Sequence, residues 1–92
     1  RSAVDPTQLF YWQDKSGREV DFVLRKPGGH VDAIECKMNA DKVMTDNLVA
    51  FRSAYPQGDN IVVSPGIQEP YTRCMDGMVL RFESLSSLCG RW

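Results

Sequence analysis

The first forty residues alternate between apolar segments and clusters of turn-forming residues. Residues 9–12, Leu-Phe-Tyr-Trp, are apolar at odd and even positions alike, which is typical of a strand covered on both faces. Residues 19–25 and 31–38 instead alternate between apolar and polar side chains, as half-buried strands do. Turn-forming residues separate the three segments, namely Asp14-Lys15-Ser16-Gly17 and Pro27-Gly28-Gly29. The pattern predicts three strands joined by two tight turns.

The alternation also predicts which side chains of the second and third strands share a face of the sheet. One face is expected to be apolar and to hold Val20, Phe22, Leu24, Ile34, Cys36 and Met38. The opposite face is expected to hold Glu19, Asp21, Val23, Arg25, Val31, Ala33, Glu35 and Lys37. The second face therefore carries most of the charge of these two strands.

A helix and a further strand are predicted in the middle of the chain. Apolar residues recur there at helical spacing, at Met44, Leu48, Phe51 and Tyr55. Thr45 or Asp46 is expected to cap the start of the helix, and Pro56 with Gly58 to mark its end. Residues 60–64 form a short apolar run, as in a buried parallel strand. A strand, a helix and a strand in this order predict a right-handed crossover, with the last strand parallel to residues 31–38.

The rest of the chain predicts a hairpin and completes the fold class. Residues 71–75 and 78–82 flank Asp76-Gly77, and Leu85 with Leu88 is expected on a last helical turn. We expect an α/β fold with a mixed sheet, built from an antiparallel three-strand meander, a helical crossover and a parallel strand. We expect one small domain, or a fragment of one, over residues 1–92, with its core at about 9–82 and a tail at 83–92.

Composition limits the classes of protein that fit. The 92 residues suffice for one small domain, and 42% hydrophobic with 25% charged residues argue against a disordered or collagen-like chain. The chain has 12 acidic and 11 basic residues and a net charge of −1. No overall positive field attracts phosphates, so any binding of nucleic acid must depend on local placement of charge.

Cysteine usage and hydropathy predict the compartment. Cys36, Cys74 and Cys89 are odd in number and widely spaced, unlike the cysteines of a small secreted domain, which favours a reducing cytosol. No apolar run approaches the roughly 20 residues of a transmembrane helix, and the first residues lack the apolar stretch of a signal peptide. We therefore expect a cytoplasmic protein with no membrane partner. His30 lies beside a turn and is expected to be solvated.

The turn between the second and third strands sets a register that brings two carboxylates together. If Pro27, Gly28 and Gly29 form the loop, Lys26 faces His30, and Asp21 then lies opposite Glu35 with Glu19 opposite Lys37. A two-residue loop would set Asp21 against Cys36 and mix polar with apolar positions. Consistency of the faces favours the three-residue loop, although a bulge can shift the register locally.

Two opposed carboxylates repel each other unless a cation lies between them. A hard divalent ion such as Mg²⁺ relieves this repulsion with oxygen ligands and keeps several waters. Lys37 projects on the same face as Glu35 and is placed to stabilise a phosphate oxyanion or orient an activated water. The alternative is an ordinary solvated face with a cross-strand ion pair.

The same residues carry a family resemblance. Glu19-Val20-Asp21-Phe22-Val23, a Gly-containing turn and Ile34-Glu35-Cys36-Lys37 together resemble the PD-(D/E)xK nuclease superfamily. Within it, the chain is most similar to the C-terminal DUF4143 domain of prokaryotic AAA-type ATPases. The aromatic first strand, the Asp14–Gly17 turn, Tyr55-Pro56 and Val62-Val63 fit that pattern in order, and the likeness covers roughly residues 9–82.

The resemblance implies a restriction-endonuclease-like core with Asp21 and Glu35 as metal ligands and Lys37 as the catalytic lysine. It implies Mg²⁺ or Mn²⁺ as cofactor and DNA as substrate. It also implies an upstream ATPase domain as partner, and ATP would bind only to that domain. Two features depart from the pattern. Many active relatives carry a further acid on a helix before the first strand, and the chain is expected to begin too late to contain that helix. Glu19 shares the face of Asp21 and is a candidate substitute, but it is not among the predicted ligands. No P-loop motif occurs in the sequence.

Two functional hypotheses of different classes follow. The first is a nuclease-like domain that hydrolyses phosphodiesters with Mg²⁺, Asp21, Glu35 and Lys37; the second is a catalytically inactive docking or regulatory module of the ATPase. A third alternative is a small oligomerising domain whose sheet edges pair between copies. Arg18, Arg25 and Lys26 flank the acidic site and are candidates for holding a phosphate backbone. The aromatic residues of the first strand and of the helix are expected in the core.

Overall fold

The computed structural model describes residues 9–85, with the side chain of Leu9 excepted. Over these residues it contains one six-stranded mixed sheet and one α-helix. The elements are β1 (Leu9–Gln13), β2 (Glu19–Arg25), β3 (Val31–Cys36), α1 (Asp46–Ala54), β4 (Asn60–Val63), β5 (Tyr71–Met75) and β6 (Met78–Glu83). Short 3₁₀ turns occupy Pro27–Gly29 and Ala40–Lys42. The strand order β1-β2-β3-β4-β6-β5 confirms a mixed α/β architecture.

The predicted antiparallel meander is confirmed for β1, β2 and β3. The first turn is held by Asp14, whose Oδ1 accepts hydrogen bonds from the backbone amides of Ser16 and Arg18 at 2.9 Å each. The second turn closes with a hydrogen bond of 2.8 Å from Lys26 N to His30 O, as the three-residue loop predicts. Beyond it β2 and β3 pair in the predicted register, up to Phe22 opposite Ile34. In the strand order of the described residues, β2 and β3 each have a neighbouring strand on both sides, so they lie inside the sheet.

A bulge in β2 changes the faces that alternation alone predicts. Two steps along β1, from Phe10 to Trp12, correspond to three steps along β2, from Val23 to Val20. Val20 and Val23 consequently belong to one hydrophobic cluster, and Phe22 is exposed. The prediction that Val20, Phe22 and Leu24 share the apolar face is therefore wrong.

The main core lies between α1 and one face of the sheet. It comprises Val20, Val23, Val31, Ala33, Val43, Leu48, Phe51, Val62, Ile67, Leu80 and Phe82. A second, small cluster consists of Ile34, Ile61 and Val63, which the pleat places on the opposite face. Cys36 and Met38, expected on the apolar face, are exposed. The face predicted to be polar is therefore the face that packs against α1, and it contains the main core.

Helix α1 and strand β4 form the predicted crossover. Thr45 is the N-cap residue, and Leu48 and Phe51 are buried, but Met44 precedes the helix and is exposed, contrary to the predicted apolar stripe. All four residues of β4 are buried, and β4 pairs parallel to β3, as predicted. The helix of the crossover therefore covers the sheet face that holds the main core, and the end of β3 belongs to the same sheet.

Arg52 joins the end of α1 to the starts of β3 and β4. Its guanidinium donates hydrogen bonds to Asn60 Oδ1 at 2.7 Å, to Val31 O at 2.8 Å and to Asp59 O at 2.7 Å. Burial lowers the pKa of Arg52, while the charges of Asp32 and Asp59 oppose that change. These contacts fix the helix across the sheet and satisfy carbonyl groups that the loop leaves unpaired.

The predicted hairpin of β5 and β6 is confirmed. Asp76 and Gly77 both have positive φ, 51° and 77°, which suits a two-residue turn of this kind. Strand β6 also pairs parallel to β4, a contact that sequence pattern does not predict. Leu85 is the last described residue, so the predicted turn through Leu88, as well as Cys89 and the end of the 83–92 tail, lies outside the described residues.

Candidate functional site

The structure places two of the three predicted site residues on adjacent strands inside the sheet and the third directly after the second of these strands. Asp21 lies in β2, Glu35 lies in β3, and Lys37 directly follows β3. The backbone amide of Lys37 donates to Val63 O at 2.9 Å, so Lys37 continues the ladder between β3 and β4. The β2–β3 pairing ends at Phe22 and Ile34, one residue before the predicted pair of Asp21 and Glu35.

The β2 bulge gives Asp21 its position. The bond between Lys26 and His30 shows that even-numbered positions of this hairpin exchange hydrogen bonds, so the Cys36 amide points toward β2. At that level the bulge interrupts the ladder, and Asp21 Oδ2 accepts the hydrogen bond from Cys36 N at 2.8 Å. The carboxylate of Asp21 is thereby fixed against the strand segment that carries Glu35 and Lys37.

Glu35 is buried on the core side of β3. It follows Val31 and Ala33 in the alternation, and only 4% of its surface is exposed. Its Oε1 has no hydrogen-bond partner among the described residues. Burial, as the largest cause, raises the pKa of Glu35 together with the charges of Asp21 and Glu19, while Lys37 lowers it; the result is a pKa of about 7. A buried carboxylate oxygen in this state needs a proton or a cation.

Among the described residues, Lys37 is the cation that forms an ion pair with Glu35. Its Nζ lies 4.0 Å from Glu35 Oε2, and its side chain is 37% exposed. At this distance the ion pair is loose, and the ammonium group remains accessible from solvent. Lys37 is therefore available to an anion that approaches Glu35.

Tyr11 and Glu19 form a polar contact beside these residues that sequence reasoning missed. The Tyr11 hydroxyl donates to Glu19 Oε2 at 2.5 Å. This hydrogen bond is the main reason that the pKa of Tyr11 is raised, and the charges of Glu19 and Asp21 contribute. The sequence places Glu19 on the face of Asp21, but the position of Tyr11 depends on the register of β1 against β2. Glu19 pairs with Gln13 of β1.

The aromatic residues divide between core and surface. Trp12 packs edge-on against Phe51 at 5.2 Å between ring centroids, and Tyr55 packs on Phe51 at 5.1 Å, as expected for core residues. Tyr11 is 59% exposed and Phe10 is 42% exposed. The prediction that the first strand is covered on both faces is wrong, because Phe10 and Tyr11 are exposed and β1 lies at the edge of the sheet that residues 9–85 form.

The three cations expected to flank the site all have partners of their own. Arg18 pairs with Asp14 at 3.6 Å, Arg25 lies over the Phe10 ring at 5.0 Å, and Lys26 pairs with the buried Asp32 at 2.6 Å. None of these contacts is to Asp21 or Glu35. The described residues therefore show no broad basic surface beside the site, and Lys37 supplies the nearby positive charge.

The donor set suits a hard divalent ion. Asp21 and Glu35 supply carboxylate oxygens, and Mg²⁺ is commonly held by one or two carboxylates with waters completing its shell. Over residues 9–85, no group of three or more His, Cys, Asp and Glu side chains is gathered as a protein-only metal cage. The unpartnered Oε1 of Glu35 fits an ion held by few protein ligands. The residues present thus fit the predicted Mg²⁺ or Mn²⁺.

The other predicted features around the site carry no chemistry of their own. Cys36 and Cys74 are free thiols, and partial burial together with the charges of Asp21 and Glu35 raises the pKa of Cys36. A raised pKa keeps Cys36 as the thiol at neutral pH. His30 is exposed beside its turn, as predicted.

In the described part of the chain, no helix is long and apolar enough to cross a membrane.

Comparison with known proteins identifies the family. The family model described as "Domain of unknown function (DUF4143)" matches residues 1–84. No curated protein and no solved structure matches the chain. DUF4143 domains are known in AAA-type ATPase proteins, and the chain fits a domain of such a protein. Since the match spans all but the last eight of the 92 residues, the chain belongs to the DUF4143 family.

Proposed function

We propose that this domain is nuclease-like, of the PD-(D/E)xK type, and hydrolyses phosphodiester bonds of DNA with Mg²⁺ or Mn²⁺. The observation that carries the proposal is Glu35, a buried carboxylate with an unpartnered oxygen beside Asp21 and Lys37. The order of an antiparallel meander, a helix and a parallel strand supports a restriction-endonuclease-like core. The resemblance of Glu19-Val20-Asp21 and Ile34-Glu35-Cys36-Lys37 supports the same assignment.

The side chains divide the work in this proposal. Asp21 and Glu35 would hold the divalent ion, which when bound lowers the pKa of a water molecule and polarises the scissile phosphate. The Cys36 amide keeps the Asp21 carboxylate in place. The Lys37 ammonium, 4.0 Å from Glu35 Oε2, would donate to phosphate oxygens and offset the negative charge that develops on them. Hydrolysis forms a bond from the water oxygen to phosphorus, breaks the phosphorus–oxygen ester bond and transfers a proton to the leaving oxygen.

Metal titration tests the binding step. Isothermal titration of Mg²⁺ or Mn²⁺ into the intact protein is expected to give heat that Glu35→Ala abolishes. Glu69→Ala, which removes an exposed carboxylate in the loop after β4, is the matched control and keeps the wild-type heat. Equal, negligible heats in wild type and Glu35→Ala would mean that these carboxylates bind no metal.

A cleavage assay tests the chemistry. The intact protein is incubated with single-stranded, duplex and branched DNA, and cleavage is expected to be lost in Lys37→Ala. Lys42→Ala removes another lysine, exposed in the 3₁₀ turn after β3, and is expected to cleave as wild type does. Circular dichroism establishes that both variants are folded.

The second candidate function is a docking or regulatory module of the ATPase that does not cleave DNA. It is favoured by the engagement of Arg18, Arg25 and Lys26 with other residues, together with the net charge of −1. A surface of this kind attracts DNA weakly. Absence of cleavage on all three DNA forms, with metal binding intact or not, would favour this module over the nuclease.

A further inference from the structure

A groove opens directly after Lys37, at the carboxyl ends of the parallel strands β3 and β4. It has a volume of about 520 Å³, and its lining includes Met38, Asn39, Asp41, Gln68 and Tyr71. Ligands of α/β proteins often bind beyond the carboxyl ends of parallel strands, and ligand pockets usually measure about 300–1,000 Å³. The groove is therefore large enough for a nucleotide, and the chain passes from Lys37 into its wall at the next residue.

Tyr71 forms a fixed aromatic wall in this groove. Its ring is stacked on Phe82 with the centroids 4.8 Å apart and the planes 3° apart. Phe82 is fully buried, while Tyr71 is 40% exposed and lines the groove. One face of the Tyr71 ring is thus packed against the core, and the ring orientation is set before any ligand binds. A ring held in this way binds a planar partner with little loss of side-chain entropy.

The polar lining favours a base over a phosphate. Asn39 and Gln68 offer amide donors and acceptors, and the Asn39 side chain is held by the Asp41 backbone amide, which donates to Oδ1 at 3.0 Å. The Asp41 carboxylate repels phosphate but accepts hydrogen bonds from the amino groups of bases. Amides, a carboxylate and an aromatic face together are the groups that read unpaired bases.

We propose that this groove binds a nucleobase stacked on Tyr71, so that the substrate of the site is single-stranded nucleic acid or a single-stranded flap. The inference rests on the proposed function for the position of the phosphate at Lys37, and it adds the form of the substrate. Bases inside a duplex are stacked on their neighbours and present only their edges, so they cannot stack on Tyr71. A base flanking the phosphate at Lys37 is unpaired in a single strand and free to enter the groove.

Fluorescence anisotropy of the intact protein tests the proposal. The probe is a labelled DNA oligonucleotide of about twenty nucleotides, single-stranded or as a blunt duplex, with Ca²⁺ replacing Mg²⁺ to limit cleavage. Wild type is expected to bind the single strand more tightly than the duplex. Tyr71→Leu is expected to weaken single-strand binding by about 5-fold to about 150-fold, the range for loss of one base stack. Tyr71→Phe keeps the ring and is expected to bind as wild type does.

Two further variants keep the test independent of folding defects at Tyr71. A Cβ at Gly66 would meet no atom within 4 Å, so the backbone tolerates Gly66→Leu, which adds a bulky side chain to the groove lining and is expected to weaken binding as Tyr71→Leu does. Phe10→Leu removes an exposed aromatic ring on β1, outside the groove, and is the matched control with wild-type binding. Circular dichroism and thermal melting establish the folded state of each variant.

Three results would overturn the proposal: no binding of the single strand by wild type, equal affinity for the duplex, or unchanged affinity in folded Tyr71→Leu and Gly66→Leu. Mg²⁺ titration separates this proposal from the proposed chemistry, since Tyr71→Leu is expected to keep the wild-type heat. If Mg²⁺ titration into wild type gives no heat, the proposed chemistry is overturned. A preference for the single strand that depends on Tyr71 would still support binding of a base in the groove.

Discussion

At the scale of single residues, Glu35 determines how the candidate site responds to protons and ions. Its carboxylate is buried, and burial is the largest cause of its raised pKa of about 7. Asp21 and Glu19 add negative charge nearby, and Lys37 compensates only in part. Ionised Glu35 is therefore unfavourable in the folded protein, and either a proton or a divalent cation relieves that state.

Replacing Glu35 by Gln is expected to remove a pH dependence of stability. The folded pKa of about 7 lies above the ordinary value of 4.5, so the folded state binds more protons between these values and stability falls as pH rises through them. The full loss, reached above pH 7, is about 3 kcal/mol. Urea denaturation from pH 4 to pH 8 is expected to show this decline in wild type and to lack it in Glu35→Gln.

The exposed Glu69 provides the control for this comparison. Glu69→Gln removes a carboxylate in the loop after β4 and is expected to follow the wild-type pH profile. Other titrating groups contribute equally to all three proteins, so the difference between profiles isolates Glu35. Parallel profiles for wild type and Glu35→Gln would show that Glu35 is ionised at no cost in the folded state.

At the scale of secondary structure elements, the sequence predicts those features that depend on local periodicity. The strands of the meander, the helix around Leu48 and Phe51, the apolar β4 and the turn at Asp76-Gly77 each have a local pattern, and each is present. The bulge in β2 has no such pattern, because it arises from pairing with β1. The parallel pairing of β4 with β6 depends on long-range packing and is likewise invisible in the sequence.

The candidate site shows the same division. Alternation and turn length place Asp21, Glu35 and Lys37 on neighbouring strands, as the structure has them. The burial of Glu35 depends on how the core extends along β3, and the contact of Asp21 with the Cys36 amide depends on the β2 bulge. Both are consequences of tertiary structure, and the burial leaves one oxygen of Glu35, Oε1, without a hydrogen-bond partner among the described residues.

The connection from α1 to β4 gives a sharp prediction at this scale. Gly58 has a φ of 142°, and a Cβ there would lie 2.0 Å from Val31 O. The same loop pairs with β3 through a hydrogen bond of 2.9 Å from Val31 N to Gln57 O. Gly58→Ala is therefore expected to destabilise the protein by at least about 2 kcal/mol, since strain and the backbone clash act together.

Gly66→Ala is the matched control for this loop variant. Gly66 follows β4, and a Cβ there would meet no atom within 4 Å. Its unfolding midpoint in urea is expected to equal or slightly exceed that of wild type. If Gly58→Ala unfolds at the same urea concentration as Gly66→Ala, the close approach of Gly58 to Val31 is not required by the fold.

At the scale of the whole molecule, the proposed metal binding would be coupled to folding. Asp21 and Glu35 come from two strands of the sheet, and Lys37 connects β3 to β4 through its backbone amide. The unfolded chain does not hold these groups together, so an ion that binds them stabilises only the folded state. The same carboxylate takes up a proton with a pKa of about 7, so protons would compete with the proposed metal for Glu35.

Thermal melting with and without Mg²⁺ tests this coupling. At a free Mg²⁺ concentration about one hundred times the dissociation constant, binding adds about 2.7 kcal/mol, which corresponds to a rise in Tm on the order of 10 °C for a domain of this size. This rise in Tm is expected at pH 8. It is expected to be smaller at pH 5, because Glu35 must lose its proton there before it binds the ion. Glu35→Gln and Asp21→Asn are expected to lose it, and Glu69→Gln to keep it. An equal rise in Glu35→Gln and wild type would place the bound ion elsewhere, since a neutral amide cannot replace the buried carboxylate as the charged ligand that this site requires.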